Sequence, residues 1–135
     1  MECTEAGRRI GWITLVVIGF WNIAGYVWDM YQLFWWFDRV LHGVTVFGIT
    51  LWFGLFIFAR ALRFEQRMLA AVLLASGGLA LGALWEVAEW VFDRYTTTNM
   101  IKGKDDTVLD IVMDTIGAMV GAIVAVGFLR PIDHA

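Results

Sequence analysis

Four runs of apolar residues, at approximately 10–28, 40–59, 68–92 and 108–129, dominate this chain. Each is close to the ~20 residues that a helix needs to cross the hydrocarbon core of a bilayer. The chain is 60% hydrophobic with one proline in 135 residues, whereas soluble domains are closer to about half apolar. The connections between the runs are short, so little chain remains for a separate soluble domain. The expectation is an all-α integral membrane protein, a bundle of four transmembrane helices forming a single domain over residues 1–135.

With four spans the two termini share a side. That side then carries Arg8, Arg9, Arg60, Arg63, Arg67 and Arg130, and the other carries Arg39, Arg94, Lys102 and Lys104. The excess of basic residues, clearest in the 60–67 loop, places both termini in the cytoplasm by the positive-inside rule. Among the acidic residues, Glu2, Glu5, Glu65 and Asp133 belong to the cytoplasmic side and the other nine fall on the outer side or in the outer halves of the spans. The protein is therefore expected in the bacterial inner, cytoplasmic membrane as a multi-pass protein. Arg8 and Arg9 before an apolar run also suit a signal peptide. That run is too long for a signal core and has no clear small-residue cleavage site after it, so retention is expected. Cys3 is the single cysteine, which rules out a disulfide framework.

The first span has no charge, and its one strongly polar interior group, Asn22, suits an interhelical hydrogen bond. The connection from Asp29 to Asp38 is rich in aromatics (Tyr31, Phe34, Trp35, Trp36 and Phe37) and reads as an interfacial turn or short helix. Gly78 and Gly82, and Gly117 and Gly121, have the small-xxx-small spacing that lets backbones approach. Packing within the bundle is favoured over pairing between chains, although a homo-oligomer or larger membrane complex also fits these pairs. The polar loop from Tyr95 to Asp105 is placed to cover the outer end. There is no internal repeat, low-complexity tract or basic patch suited to nucleic acid.

Against this background stand six carboxylates and a histidine within or at the ends of the spans: Asp38, His42, Glu86, Glu89, Asp106, Asp110 and Asp114. Such groups cost several kcal/mol in a membrane and are tolerated mainly where they face the protein interior and serve a function. Each set repeats at three or four residues and so lies on one helix face. At ~1.5 Å of rise per residue, His42 lies about 6 Å below Asp38, Glu86 about 10 Å below Asp93 and Asp114 about 12 Å below Asp106. All three sets thus fall in the outer leaflet. Asp29, Asp93 and Asp105 read as rim charges.

Like charges at these spacings repel, and burial adds to the cost. Protons, the rim arginines or a metal cation would neutralise the cluster, and a metal accounts for the most residues. Carboxylates with one imidazole suit a divalent metal, Zn, Mn, Mg or Fe, with Ca disfavoured by the histidine. The expected ligands are His42, Glu86, Asp106, Asp110 and Asp114. Glu89 and Asp38 are the candidate catalytic general bases, with Asp38 also able to orient the imidazole. Asp38, Glu89 and Asp106 have a plainer reading as solvated helix-end charges. A protonated relay and a structural polar network remain open alternatives.

The series Asp38-x-x-x-His42, Glu86-x-x-Glu89-Trp90 and Asp106-x-x-x-Asp110-x-x-x-Asp114-x-x-Gly117 resembles small bacterial inner-membrane proteins of the YjdF-like type. It is more distantly similar to the VanZ-like family, whose namesake is linked to teicoplanin resistance. The likeness covers the last three spans. The VanZ-like pattern tends to have glutamine near Glu89 and asparagine near Asp114, so this chain follows the YjdF-like branch with a more anionic site. The chain is short for that type. The resemblance implies an integral membrane protein with a functional polar site and supplies no reaction.

Two functions follow. One is a metal-dependent enzyme on lipid-linked substrates among the membrane lipids, using activated water because no serine joins the constellation. The other is a non-catalytic accessory subunit of a larger membrane complex. The topology has a direct test. In a Cys3→Ser chain, Thr97→Cys is expected to react with a membrane-impermeant maleimide on intact spheroplasts, and Glu5→Cys only after lysis; the opposite pattern inverts the orientation.

Overall fold

A computed structural model describes residues 2–59 and 66–130. Thr4 is extended, and its hydroxyl accepts the Gly7 N–H at 3.1 Å, a side-chain cap that starts α1 (Glu5–Val27). The Trp28 N–H closes that helix on the Ala24 carbonyl at 2.9 Å. Asp29 then adopts a left-handed φ of 58°, a conformation that Asn and Asp tolerate better than most residues. It turns the chain into the short α2 (Met30–Leu33), within the aromatic connection expected to lie at an interface. Next come α3 (Phe37–Phe53), continued by a wider π-helical turn at Gly54–Phe58, then α4 (Arg67–Tyr95) and α5 (Lys104–Gly127).

The four expected helices are present, and all are long and apolar enough to cross a membrane. Their ends differ from the apolar runs: α1 and α5 each begin several residues earlier, and α3 takes in Asp38. Hydropathy marks the part of a helix that suits lipid, whereas backbone hydrogen bonding continues until caps stop it. The charges at Arg60, Arg63, Glu65 and Asp133 that enter the topological expectation lie outside the described residues.

Both chain ends lie at one end of the bundle. β1 (Glu2–Cys3) pairs antiparallel with β2 (Leu129–Arg130), and the Arg67 guanidinium donates to the Leu129 carbonyl at 2.9 Å. Near this terminal end the core is built from Leu51, Leu55, Leu74, Ala122, Ala125 and Leu129. The opposite, loop end carries α2 and the 96–103 connection.

The tightest packing joins α3, α4 and α5. A Cβ on Gly117 would overlap the Gly43 carbonyl, and one on Gly121 would overlap the Phe47 carbonyl at 2.6 Å. A Cβ on Gly78 would meet Thr50 Oγ1 and, at 2.8 Å, Ala118. Both glycine pairs therefore serve packing within the bundle. α1 leans on α3, where Asn22 Nδ2 donates to Thr45 Oγ1 at 3.2 Å, the interhelical bond expected of it. Outward-facing apolar residues such as Val16, Ile23, Val72 and Ile123 are exposed, as lipid-facing positions should be.

The glycine contacts set up a matched test. Gly117→Ala must push the α3 backbone away, and it is expected to destabilise the detergent-solubilised protein by about 1–3 kcal/mol. Gly77→Ala meets nothing within 4 Å and should be neutral or stabilising by up to about 1 kcal/mol through helix propensity. Thermal unfolding followed by circular dichroism distinguishes the two.

Candidate functional site

The three polar helix faces meet. α3 contributes Asp38 and His42, α4 contributes Glu86 and Glu89, and α5 contributes Asp106, Asp110 and Asp114. His42 is at the centre. Its Nδ1 lies 3.4 Å from Asp114 and 3.7 Å from Glu86, and its Nε2 lies 3.8 Å from Asp38 and 3.9 Å from Glu89. His42, Glu86, Asp106, Asp110 and Asp114 are all buried. Small residues permit this convergence. A Cβ on Gly82 would overlap the Asp114 carboxylate, and one on Gly43 would press on the Met113 carbonyl at 3.1 Å.

The constellation divides into two parts of different electrostatic character. At the loop end, Asp106 accepts the Arg39 guanidinium at 2.8 Å and the Lys102 backbone N–H at 3.1 Å. The Lys102 ammonium lies 3.7 Å from Asp38. Arg39 is steadied in turn by the Trp35 carbonyl and by stacking over the Trp35 ring at 5.6 Å. Two carboxylates here face two cations.

One turn deeper the balance fails. Glu86, Glu89, Asp110 and Asp114 share a single imidazole. Among the described residues, Glu86 Oε1, Asp110 Oδ1 and both Asp114 oxygens are buried without a hydrogen-bond partner. Asp110 is 2% exposed and Asp114 0%, so both are shut away from the protein's outer surface. Leaving one such charged group unpaired costs more than the ~1–3 kcal/mol of a neutral orphan.

The donor atoms of His42, Glu86 and Asp110 lie within 4.8 Å of one another, as do those of Asp38, Asp106 and Asp110. An ion with bonds of ~2.1 Å holds donors about 3–4 Å apart, so small side-chain rotations would close either shell. Asp110 belongs to both groups. Of the expected ligands His42, Glu86, Asp106, Asp110 and Asp114, for which one ion or two were open, Asp106 falls in the second group, on the side that already has cations, and Asp114 in neither. Asp38 and Glu89 are largely buried at 13% and 12% side-chain exposure, which removes the reading of them as solvated helix-end charges. Asp106, buried beneath Arg39, is likewise no solvated charge.

Glu89 is held by a Trp85 indole N–H at 2.9 Å. Both residues line a cavity of about 680 Å³ that also reaches Asp38, His42 and Asp114. The 96–103 connection closes its loop end through Thr98, Asn99, Met100 and Lys102. Asp93 anchors that connection by accepting from the Thr98 hydroxyl and the Met100 and Ile101 N–H groups at 2.8–2.9 Å, in keeping with a rim charge outside the site. Sequence reasoning passed over Lys102 and Trp85. Trp85 bonds Glu89 four positions on within α4, a pairing that helical spacing offers, whereas the Lys102 ammonium reaches Asp38 on α3, which spacing along the chain does not signal.

Fold and site together define a four-helix integral membrane protein with a buried acidic centre near one end of the bundle. Residues 9–131 match the family model described as "Predicted membrane protein (DUF2238)", and the chain belongs to that family. The YjdF-like resemblance fits it. An uncharacterized protein of Thermotoga maritima is 35% identical over 98 residues, covering 71% of this chain and 50% of the relative. The chain thus spans about half the length of that relative. No solved structure matches.

The Arg39–Asp106 pair has a measurable consequence. Arg39→Gln leaves a buried carboxylate without its cation and is expected to destabilise the protein by about 3–5 kcal/mol. Asp106→Asn in the same chain should recover most of that loss in thermal unfolding.

Proposed function

We propose that this protein holds one divalent metal ion, Zn, Mn, Mg or Fe, at His42, Glu86 and Asp110, and works as a metal-dependent enzyme on lipid-linked substrates. In this reading the site faces the outer side of a bacterial inner membrane, with both termini cytoplasmic. One observation carries it: four carboxylates share one imidazole, and three of them keep buried oxygens without a partner. A cation is the simplest remedy, and mixed imidazole and carboxylate donors suit these metals. The pairing of Asp38 and Asp106 with Lys102 and Arg39 favours one ion over two.

A bound ion of this kind supplies Lewis acidity and acidifies a water molecule. The chain's own residues do the rest. Glu89, on the cavity wall and held by Trp85, is placed to take a proton from a water in the cavity. Asp38, 3.8 Å from His42 Nε2, orients the imidazole from outside the ligand set. Asp114 lies against Nδ1 and completes the anionic surround.

An accessory, non-catalytic role is the second reading. α1 leans on α3 and leaves most of its apolar surface exposed, a face that lipid covers in a single chain and that a partner subunit would cover in such a complex. Stable co-purification of such a partner supports that role.

Elemental mass spectrometry of detergent-purified protein tests the metal. About one ion per chain is expected in the parent and in Asp106→Asn, with loss in folded Asp110→Asn and His42→Ala chains. A parent that is metal-free, and equally stable with and without chelator, overturns the metal reading.

A further inference from the structure

The cavity beside the acidic site has walls of two kinds. Leu81, Trp85 and Phe92 of α4 and Tyr26 of α1 line it, yet each is 42–64% exposed. The cavity therefore opens sideways between α1 and α4, through surface that faces lipid. Along α4 it runs from Leu81 to Phe92, about 16 Å at ~1.5 Å per residue, roughly half of a ~30 Å hydrocarbon core. Its volume of about 680 Å³ falls within the ~300–1,000 Å³ of small-molecule sites. The apolar length of such a cleft suits a hydrocarbon chain better than water, which is left to the polar end beside Glu89.

At the loop end the lining becomes aromatic and acidic. The Tyr26 and Tyr31 rings lie 4.9 Å apart, and Glu89 and Asp38 stand near them. Burial, followed by the influence of Tyr26, Asp38 and Glu89, pushes the Tyr31 phenol well above its ordinary range. The Lys102 ammonium is already occupied by Asp38 at 3.7 Å and the Tyr31 carbonyl at 3.4 Å. Among the described residues no lysine or arginine pairs with Glu89, whose polar neighbours are the His42 imidazole and the Trp85 indole. Aromatic faces beside such a carboxyl group suit organic cations.

We propose that this cavity binds a membrane amphiphile, its apolar chain lying between α1 and α4 and its ammonium headgroup among Tyr26, Tyr31 and Glu89. As the substrate class of the enzyme, this rests on the metal reading; as a binding site, it does not. A phosphate headgroup fits less well, because the nearby cations are taken by Asp38 and Asp106.

Quenching of tryptophan fluorescence by brominated undecyl amphiphiles tests the site in detergent-purified protein, with Trp85 as the reporter at the mouth. A brominated undecyl-trimethylammonium is expected to quench saturably, and Trp85→Phe to lose most of that signal. The phosphate-headed and maltoside-headed analogues should bind about tenfold more weakly or worse, as should the ammonium probe to folded Glu89→Gln and Tyr26→Ala chains. Ala88→Trp, which adds bulk to the lining without removing a polar group, should block the probe. Equal binding of all three headgroups overturns the proposal, as does a preference for phosphate or indifference to the Glu89 and Tyr26 substitutions. Metal content of the same samples separates the two ideas: ammonium binding by metal-free protein supports the site and overturns only the enzyme.

Discussion

Backbone against backbone contact between α3 and α5 governs this molecule. Gly117 lies on the Gly43 carbonyl and Gly121 on the Phe47 carbonyl, so the two helices approach without side chains between them. Such approach is a main source of helix association in lipid, where apolar surface gains little by leaving the solvent. It also fixes rotation. With Gly43 and Gly117 facing each other, His42 and Asp114, adjacent to these faces, come within 3.4 Å. Gly82 then lets α4 close over Asp114 with no side chain of its own in the way. The acidic centre is a consequence of where the bundle lacks side chains.

That geometry concentrates charge that the fold would be more stable without. Well-packed apolar residues in place of buried ionic groups are often neutral or stabilising. Here the chain does two different things with its carboxylates. Asp38 and Asp106 are matched by Lys102 and Arg39, and Asp93 is used to tie down a loop. Glu86, Asp110 and Asp114 receive no such treatment, although an arginine or lysine on α1 would reach toward the same cavity. That contrast is what the proposed metal reading rests on.

Much of this was legible in the sequence, and the limits have physical causes. Bilayer-length apolar runs identified the four helices, and spacings of three or four residues identified which acidic residues share a face. Asn22 and the glycine pairs also behaved as their chemistry suggested. Helix ends were less legible, because Asp38 and Asp106 sit in first turns where hydropathy has already fallen. The division of the acidic residues was legible only as far as rim arginines being candidate neutralisers. It depends on Lys102 reaching across from the 96–103 connection to α3, and on Arg39 of α3 reaching α5, contacts between positions more than sixty residues apart. Periodicity assigns a face to a helix and says nothing about which cation stands opposite. The cavity was equally hidden, since it arises from the gap between α1 and α4, two helices that both lean on α3.

Route of access follows from the same arrangement. At the loop end the way in is obstructed: Asp93 pins the 96–103 connection through three hydrogen bonds, and Lys102 bridges from it to Asp38 and the Tyr31 carbonyl. On the flank, by contrast, the cavity wall is made of exposed apolar side chains and, among the described residues, no polar contact draws α1 to α4 beside Leu81. A water-soluble molecule would have to break the anchored loop to reach His42. A molecule dissolved in the bilayer meets an opening at its own depth, with a surface its hydrocarbon chain already suits. On the proposed reading the architecture would select for ligands that partition into the membrane before they bind, and would do so through the position of the opening, independently of which headgroup chemistry the acidic end prefers.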